Sequence, residues 1–455
     1  FEREIGATLP VAERADPARV PVPPFYPDLP VTRQAMARYY DCVTAMDRKV
    51  GAILRELAAD GLTEETIVFF YGDHGMGMPR GKRLLHDSGL RVPLLVRFPK
   101  KWAHLASAAP GAAVDRLVSF VDFAPTLLSL AGVPIPAHFQ GSAFLGAAAG
   151  PARRYVYAAR DRVDEVYDTA RSVRDERWLY IRNYRPHLSW APPERYSDGS
   201  GFRRELIALA RQGKLGQGPT AWLAPTRPRE ELYDTVADPQ QLKNLAAEPA
   251  HAQTRDRMRG ALREWLERIR DVAFLPELDE IARSGARAPY EMARVPGAYD
   301  LVRVLAAAEA VGDEAAAPRQ RAWLGEADSA VRYWAAVGCN ANPAAAQAAR
   351  SELTRALRDE SPAVRNEAAA ALLKIGDAPA ALAVLEKSLR EPDLNSALHA
   401  ARALQYAGEW MRPVLPAVRE RLAQARTRQG AEYLEFYLFF SLGALVEALD
   451  AGSAK

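Results

Sequence analysis

Cysteine is nearly absent from this chain: its 455 residues contain two, Cys42 and Cys339. They stand far apart and form no CxxC, which argues against a disulfide framework and a cysteine-built zinc ribbon. Long apolar runs are missing as well. None reaches the ~18–20 residues that span a bilayer, and one of the longest, Tyr437 to Leu449, is interrupted by Glu447. Charge of one sign is not in excess either. The 60 Lys and Arg against 57 Asp and Glu leave +3, so no electrostatic case exists for a nucleic-acid binder. A signal-peptide pattern is lacking, and the chain opens on Phe1-Glu2-Arg3-Glu4 rather than on Met. Upstream processing or truncation therefore stays open. What is present is globular in balance: 49% apolar and 26% charged residues exclude a wholly disordered or fibrous chain. At about 150 residues per domain the length predicts roughly three domains.

The first 30 residues, including VPVPPFYPDLP, read as an extended surface segment. From about Pro30 to Asp60, Tyr39, Val43, Met46, Val50, Ile53, Leu54 and Leu57 recur at helical spacing, and Gly61 closes the pattern. Thr66 to Tyr71 and Arg91 to Pro99 are short apolar runs that predict buried strands. LVSFVDFAPTLLSLAG predicts a strand-like start leading into a helix that Gly132 ends. This order predicts an α/β sheet, parallel in its strands, with helices on its faces. Ligands of such sheets lie at the carboxyl ends of the strands, where Gly72-Asp73-His74-Gly75 stands.

Between 151 and 250, YVYAARD, TARSVRDERWLYIRNY and REELYDT predict short antiparallel strands. Trp178 and Tyr180 alternate on one of them, placing one in the core. A helix follows at about Ala250 to Ile269, with Met258, Leu262, Trp265 and Leu266 on one stripe. From about Asp300 the chain becomes rich in Ala, Leu and Arg. DSAVRYWAAVGC at 328–339 resembles SPAVRNEAAAALLKIGD at 361–377, with a weaker third copy, NSALHAARALQYAG, at 395–408. Val331 and Val364 are 33 positions apart, a period of stacked helical repeats, and the D-x-x-V-R phrase resembles HEAT repeats. The domains read as 1–150, the C-terminal half of an α/β domain; 151–273, a small antiparallel-sheet subdomain; 274–300, a linker; and 301–455, a helical repeat domain.

Asp73 offers a hard oxygen and His74 a nitrogen, which together suit a metal; such a pair at a strand end also serves as cap and turn. Lys82, nine residues on in a glycine-rich loop, suits an oxyanion whose charge the metal and the ammonium would share, or is a solvated loop lysine. His86 reads either as a pocket-lining residue or as loop packing. His187, in YRPHLSW, is a candidate for the substrate rim.

The stretch YYDCVTAMDRKVGAILRELAADGLTEETIVFFYGDHGMGMPRGKRLLHDSGLRVPLLVRFPKKW resembles the second half of a sulfatase catalytic domain. In that family a helix leads into a strand ending in a D-[NH]-G metal motif. A G-K-x-x-x-[YH]-[DE]-x-G-x-R-V-P-L segment follows, met here from Gly81 and Lys82 through Pro93. VDFAPTLLSLAGVPIP, RSVRDERWLYIRNY and EELYDTVADPQQLKNLA match later segments, so the resemblance covers about 1–270. It is nearest to the heparan N-sulfatase branch of the alkaline-phosphatase-like superfamily. It implies a fold in three parts: a partial alkaline-phosphatase-like α/β sheet with flanking helices, a small α+β subdomain and an all-α HEAT-like solenoid.

The resemblance also implies chemistry. A formylglycine nucleophile and a divalent cation, calcium in most members, would hydrolyse a sulfate ester or N-sulfo group. Asp73 and His74 would be metal ligands, and Lys82, with His86 and His187 as further candidates, would bind substrate. His74 replaces the Asn of many members, which makes manganese or zinc admissible. The C/S-x-P-x-R motif that yields formylglycine occurs nowhere in the chain, and Cys42 and Cys339 read as packed structural cysteines. The expectation is therefore a sulfatase of sulfated small molecules or glycans seen without its nucleophile-bearing half and inactive alone. The alternatives are a non-catalytic remnant whose repeats bind a protein or glycan, and a phosphohydrolase of the same superfamily. Nucleic-acid binding and a membrane span are not expected. Periplasmic or secreted location is implied by the family alone.

Overall fold

A computed structural model describes residues 5–215, 220–428, 430 and 432–453; Phe1 to Glu4, where the sulfatase-like segment was taken to enter, lie outside them. Helix α1 (Pro30–Ala59) starts with Pro at its first position and ends before Gly61 at φ +69°, which follows the usual start and stop chemistry. Strand β1 (Val68–Tyr71) pairs antiparallel with β2 (Leu94–Arg97). Helix α2 (Phe123–Leu130) follows a 3-10 turn over Phe120–Asp122 in place of the strand-like start. A four-stranded antiparallel sheet then runs in the order β3 (Val156–Arg160), β4 (Ala170–Arg174), β5 (Trp178–Asn183), β6 (Glu230–Asp234), backed by α3 (Ala252–Ile269).

Both faces of this second sheet are covered. Val173, Tyr180 and Leu232 meet Met258, Leu262 and Leu266 of α3 on one side. Ala170, Leu179, Ile181 and Tyr233 meet Leu85, from the segment after β1, on the other. Two-sided burial explains why β5 is apolar nearly throughout. Trp178 and Tyr180 share one face of β5; Tyr180 is fully buried, whereas Trp178, at the strand's start, is half-buried against His251.

The segment 274–300, expected as a linker, is packed: it carries α4 (Glu277–Ser284) and buries Phe274, Leu275, Met292 and Ala293. Beyond it lie α5 (Ser329–Ala341), α6 (Pro362–Lys374), α7 (Ala378–Arg390), α8 (Leu394–Ala407), α9 (Leu415–Arg428) and α10 (Tyr433–Ser453). The repeat shows in its ion pairs. Arg332 of α5 reaches Asp359 at 2.7 Å, and Arg365, at the equivalent place in α6, reaches Glu391 at 3.1 Å. One apolar core runs from the second sheet through α3 into these helices. Trp334 Nε1 donates to the Phe274 carbonyl at 2.7 Å across the junction. Cys339 is buried on α5 and Cys42 half-buried on α1, and neither is in a disulfide. No described helix is long and apolar enough to cross a membrane.

The N-terminal unit differs from the buried sheet expected. β1 and β2 form an antiparallel pair, and Tyr71 and Leu95 are exposed on it. The apolar stripe of α1 is likewise uncovered at Val43, Met46, Ile53 and Leu54. Its N-terminal turns do pack, through Ala35, Met36 and Ala37, against Phe25, Tyr26, Phe202 and Trp222. The physical reason is an absence of neighbours: among the described residues no buried apolar cluster contains β1 or β2.

Candidate functional site

β1 ends at Tyr71, and the chain then makes a tight loop back to β2. Gly72 N–H donates to the Pro93 carbonyl at 3.3 Å, and Gly75 N–H to the Gly89 carbonyl at 2.9 Å. A Cβ at Gly75 would lie 2.0 Å from the Ser88 carbonyl oxygen, and one at Gly81 would lie 2.1 Å from that of Met76. No side chain fits either place, so the two glycines are demanded by backbone crossing backbone.

Asp73 and His74 sit at the open end of this loop. The Asp73 side chain is 86% exposed and that of His74 26%. His74 Nδ1 lies 2.7 Å from the Gly75 carbonyl. A carbonyl can only accept, so a proton belongs on Nδ1, and in the neutral ring Nε2 is the nitrogen with a lone pair to offer a metal. That nitrogen faces Asp73 Oδ1 at 3.7 Å. With metal–ligand bonds of about 2.0–2.4 Å, the separation suits two ligands of one ion. The donor set fits part of a divalent-cation site; among the described residues no cluster of three such side chains forms.

Lys82 is exposed, and its N–H donates to the Met76 carbonyl at 2.9 Å. That bond folds the loop so that Lys82 returns to a residue two positions from His74. On either side of it, Arg80 (φ 61°) and Arg83 (φ 80°) occupy the left-handed region, a conformation costing non-glycine residues about 1–3 kcal/mol. Each is held by side-chain contacts. Arg80 is buried, stacks on Phe25 at 4.5 Å and donates to the Gln241 carbonyl at 2.6 Å. Arg83 pairs with Asp164 and Glu194 and stacks on Tyr196 at 5.3 Å. Neither arginine was singled out in the sequence. Their only signal was the run of basic residues around Lys82, and the groups they hydrogen-bond or ion-pair with lie 81 or more positions further on.

Two of the sequence candidates lie elsewhere than expected. His86 is packed inside the protein. It is 2% exposed, with Nε2 3.3 Å from Glu231 and its ring against Trp190 and Tyr233. Burial, reinforced by Arg80, pushes its pKa down against the pull of Glu231. Asn183 and Tyr233 also donate to Glu231, at 2.6 and 2.7 Å. His86 is thus a packing residue that ties the loop to β6. His187 is not beside the loop either. Its charged neighbours are Arg185, Arg227 and, from α6, Glu367 and Lys374. Burial and Arg185 hold its pKa at about 3, and its Nδ1 is buried without a partner. It belongs to the junction with the repeats, because the turn after β5 faces α6.

Three family descriptions match the chain: Sulfatase over residues 10–133, N-sulphoglucosamine sulphohydrolase, C-terminal, over 72–202, and HEAT repeats over 324–405. An ulvan-active sulfatase of Formosa agariphila is 43% identical over 260 residues, which is 57% of this chain and 43% of that protein. The N-sulphoglucosamine sulphohydrolase of Homo sapiens is 30% identical over 269 residues, 55% of this chain and 51% of that protein. A second ulvan-active sulfatase of Formosa agariphila is 26% identical over 249 residues, 52% of this chain and 44% of that protein. The chain thus spans about half the length of these curated relatives. The Asp73–His74 pair and Lys82 lie inside both sulfatase matches, so residues 10–202 are similar to sulfatase domains and residues 324–405 to HEAT repeats.

Proposed function

We propose that this chain is the metal-loop half of a sulfatase that removes sulfate from a sulfated glycan, acting with a nucleophile that these 455 residues do not contain. The observation that carries the reading is the convergence of Asp73 Oδ1 and His74 Nε2 at 3.7 Å on a glycine-pinned loop that also presents Lys82. Asp73 would give an anionic oxygen to the ion and His74 its Nε2 lone pair; Lys82 would bind the sulfate by charge. A divalent cation, calcium with manganese or zinc as alternatives, would supply the Lewis acid that draws charge from the sulfate oxygens. The named activities of the relatives, on ulvan and on N-sulphoglucosamine, support a sulfated saccharide as substrate. The formylglycine nucleophile implied by the family would come from a C/S-x-P-x-R segment, which is not in this sequence.

The uncovered apolar surface of α1, β1 and β2 supports the same reading. Exposed contiguous apolar surface of this kind is where further protein packs. The test compares this chain with a protein carrying an added N-terminal sulfatase segment. Sulfate release from N-sulfoglucosamine and from an aryl sulfate is expected from the longer protein and not from the 455 residues alone. Turnover by the short chain would contradict the missing nucleophile. Hydrolysis of a phosphate ester in place of sulfate would shift the reading to a phosphohydrolase, and inactivity of the longer protein would leave a binding scaffold.

A further inference from the structure

A cavity of about 170 Å³ lies where the second sheet meets the repeats, bounded by the β3–β4 loop, Arg185 just after β5, α4 and the helices α5, α6 and α8. None of the loop residues Asp73, His74 or Lys82 lines it. Its wall is aromatic on one side. Tyr167 and His399 lie 5.1 Å apart, with Tyr333 6.3 Å beyond His399 and 5.4 Å from Trp334. Such rings offer faces to C–H groups and to cations.

The polar groups of the wall can be balanced partner by partner. Asp168 is satisfied by Arg160 and Arg227. Asp161 is bound by Arg171 at 2.9 Å, and Arg185 by Glu367, also at 2.9 Å. Glu277 gives only Oε1 to Arg162, at 2.6 Å, and its Oε2 is buried with no partner. Glu280 has no ion-pair partner among the described residues, and burial, with Glu277 and Asp161 nearby, raises its pKa. Arg185 is 4% exposed, yet its Nε has no acceptor. What is left over is two carboxylate acceptors and one guanidinium donor around an aromatic face. Glu277 Oε2 and Arg185 Nε are buried without a partner and Glu280 is half-buried, so a ligand that pairs them relieves an unmet hydrogen-bonding demand.

We propose that this cavity binds a small hydroxylated ammonium ion of the amino-sugar class. Its ammonium group donates to Glu277 and Glu280, a hydroxyl oxygen accepts from Arg185 Nε, and its C–H face lies on the Tyr167–Tyr333 wall. The excess of carboxylate turns away sulfated or carboxylated sugars. This site is built from other elements than the Asp73 loop, so it stands or falls apart from the sulfatase reading.

The test is calorimetric titration of the whole chain with D-glucosamine, N-acetyl-D-glucosamine and D-glucosamine 6-sulfate. D-glucosamine is expected to bind at least tenfold more tightly than either of the others. Glu280→Gln, at a half-buried position, is expected to weaken it about tenfold, and Ala363→Met, which fills the wall from α6, to abolish it, both with unchanged far-UV circular dichroism. Equal affinity for the three sugars, heat from none of them, or unchanged affinity in folded Glu280→Gln would overturn the proposal.

Discussion

Removing Arg185 from the junction between the second sheet and the repeats is expected to cost far more than losing one hydrogen bond. Arg185 and Glu367 are 4% and 3% exposed and 182 positions apart, with Nη1 and Oε1 at 2.9 Å. Burial works against the Glu367 charge, yet Arg185, with His399, holds the carboxyl well below its usual pKa. In Arg185→Met the carboxylate would keep only His399 at 3.2 Å and Asn340 at 3.1 Å. An uncompensated buried charge costs about 3–5 kcal/mol, so that loss is expected for Arg185→Met and a similar one for Glu367→Met. When both are replaced, no orphaned charge remains, and the pair can return close to the parent or exceed it. The cycle should therefore show a coupling of about 3 kcal/mol or more, opposite in sign to the two single losses. Urea unfolding followed by tryptophan fluorescence suits the assay, because Trp334 lies 5.6 Å from the Arg185 guanidinium. A loss below about 1 kcal/mol in either single variant, the size of an exposed pair, would refute the argument that the two units share one desolvated core.

Two further outcomes follow from the same geometry. Burial alone would raise the Asp168 carboxyl, but Arg227 and Arg160 outweigh it and hold the pKa at about 2. A depressed carboxyl stabilises the fold above its unfolded pKa of about 3.9, and about 2.6 kcal/mol is lost as pH falls from about 5 towards 2; Asp168→Asn should remove that part of the acid limb in urea titrations at stepped pH, and an unaltered limb would count against it. Replacing Met46, Ile53 and Leu54 by Lys should leave the urea midpoint of the sheet and repeats within about 0.5 kcal/mol, since these side chains are exposed. A larger loss would show that these side chains are packed in solution.

The parts of the fold that were readable in the sequence are those whose burial pattern is local. α1 and α3 followed from three- and four-residue spacing, the β3–β6 sheet from short β-rich runs, and the repeats from the 33-residue interval between Val331 and Val364. Placement of single side chains was not readable where a partner distant in the chain decides it. His86 is set by Glu231 and Trp190, which turn it inward from its loop, and His187 by α6, which draws it to the repeats. The strain at Arg80 and Arg83 was equally hidden, because Gln241, Asp164 and Glu194 hold it. The apolar runs of β1 and β2 implied a buried sheet, whereas among the described residues no buried apolar cluster contains them.

The central claim is that Asp73 and His74 belong to the cation site of a sulfatase. Metal content by mass spectrometry, read beside sulfate release, tests it in a protein carrying both this chain and an N-terminal sulfatase segment. The account predicts one divalent ion per protein in the parent, with Asp73→Ala losing both the ion and the activity while its urea midpoint stays within about 1 kcal/mol, because the side chain is 86% exposed. Full metal occupancy and undiminished sulfate release in Asp73→Ala would contradict it.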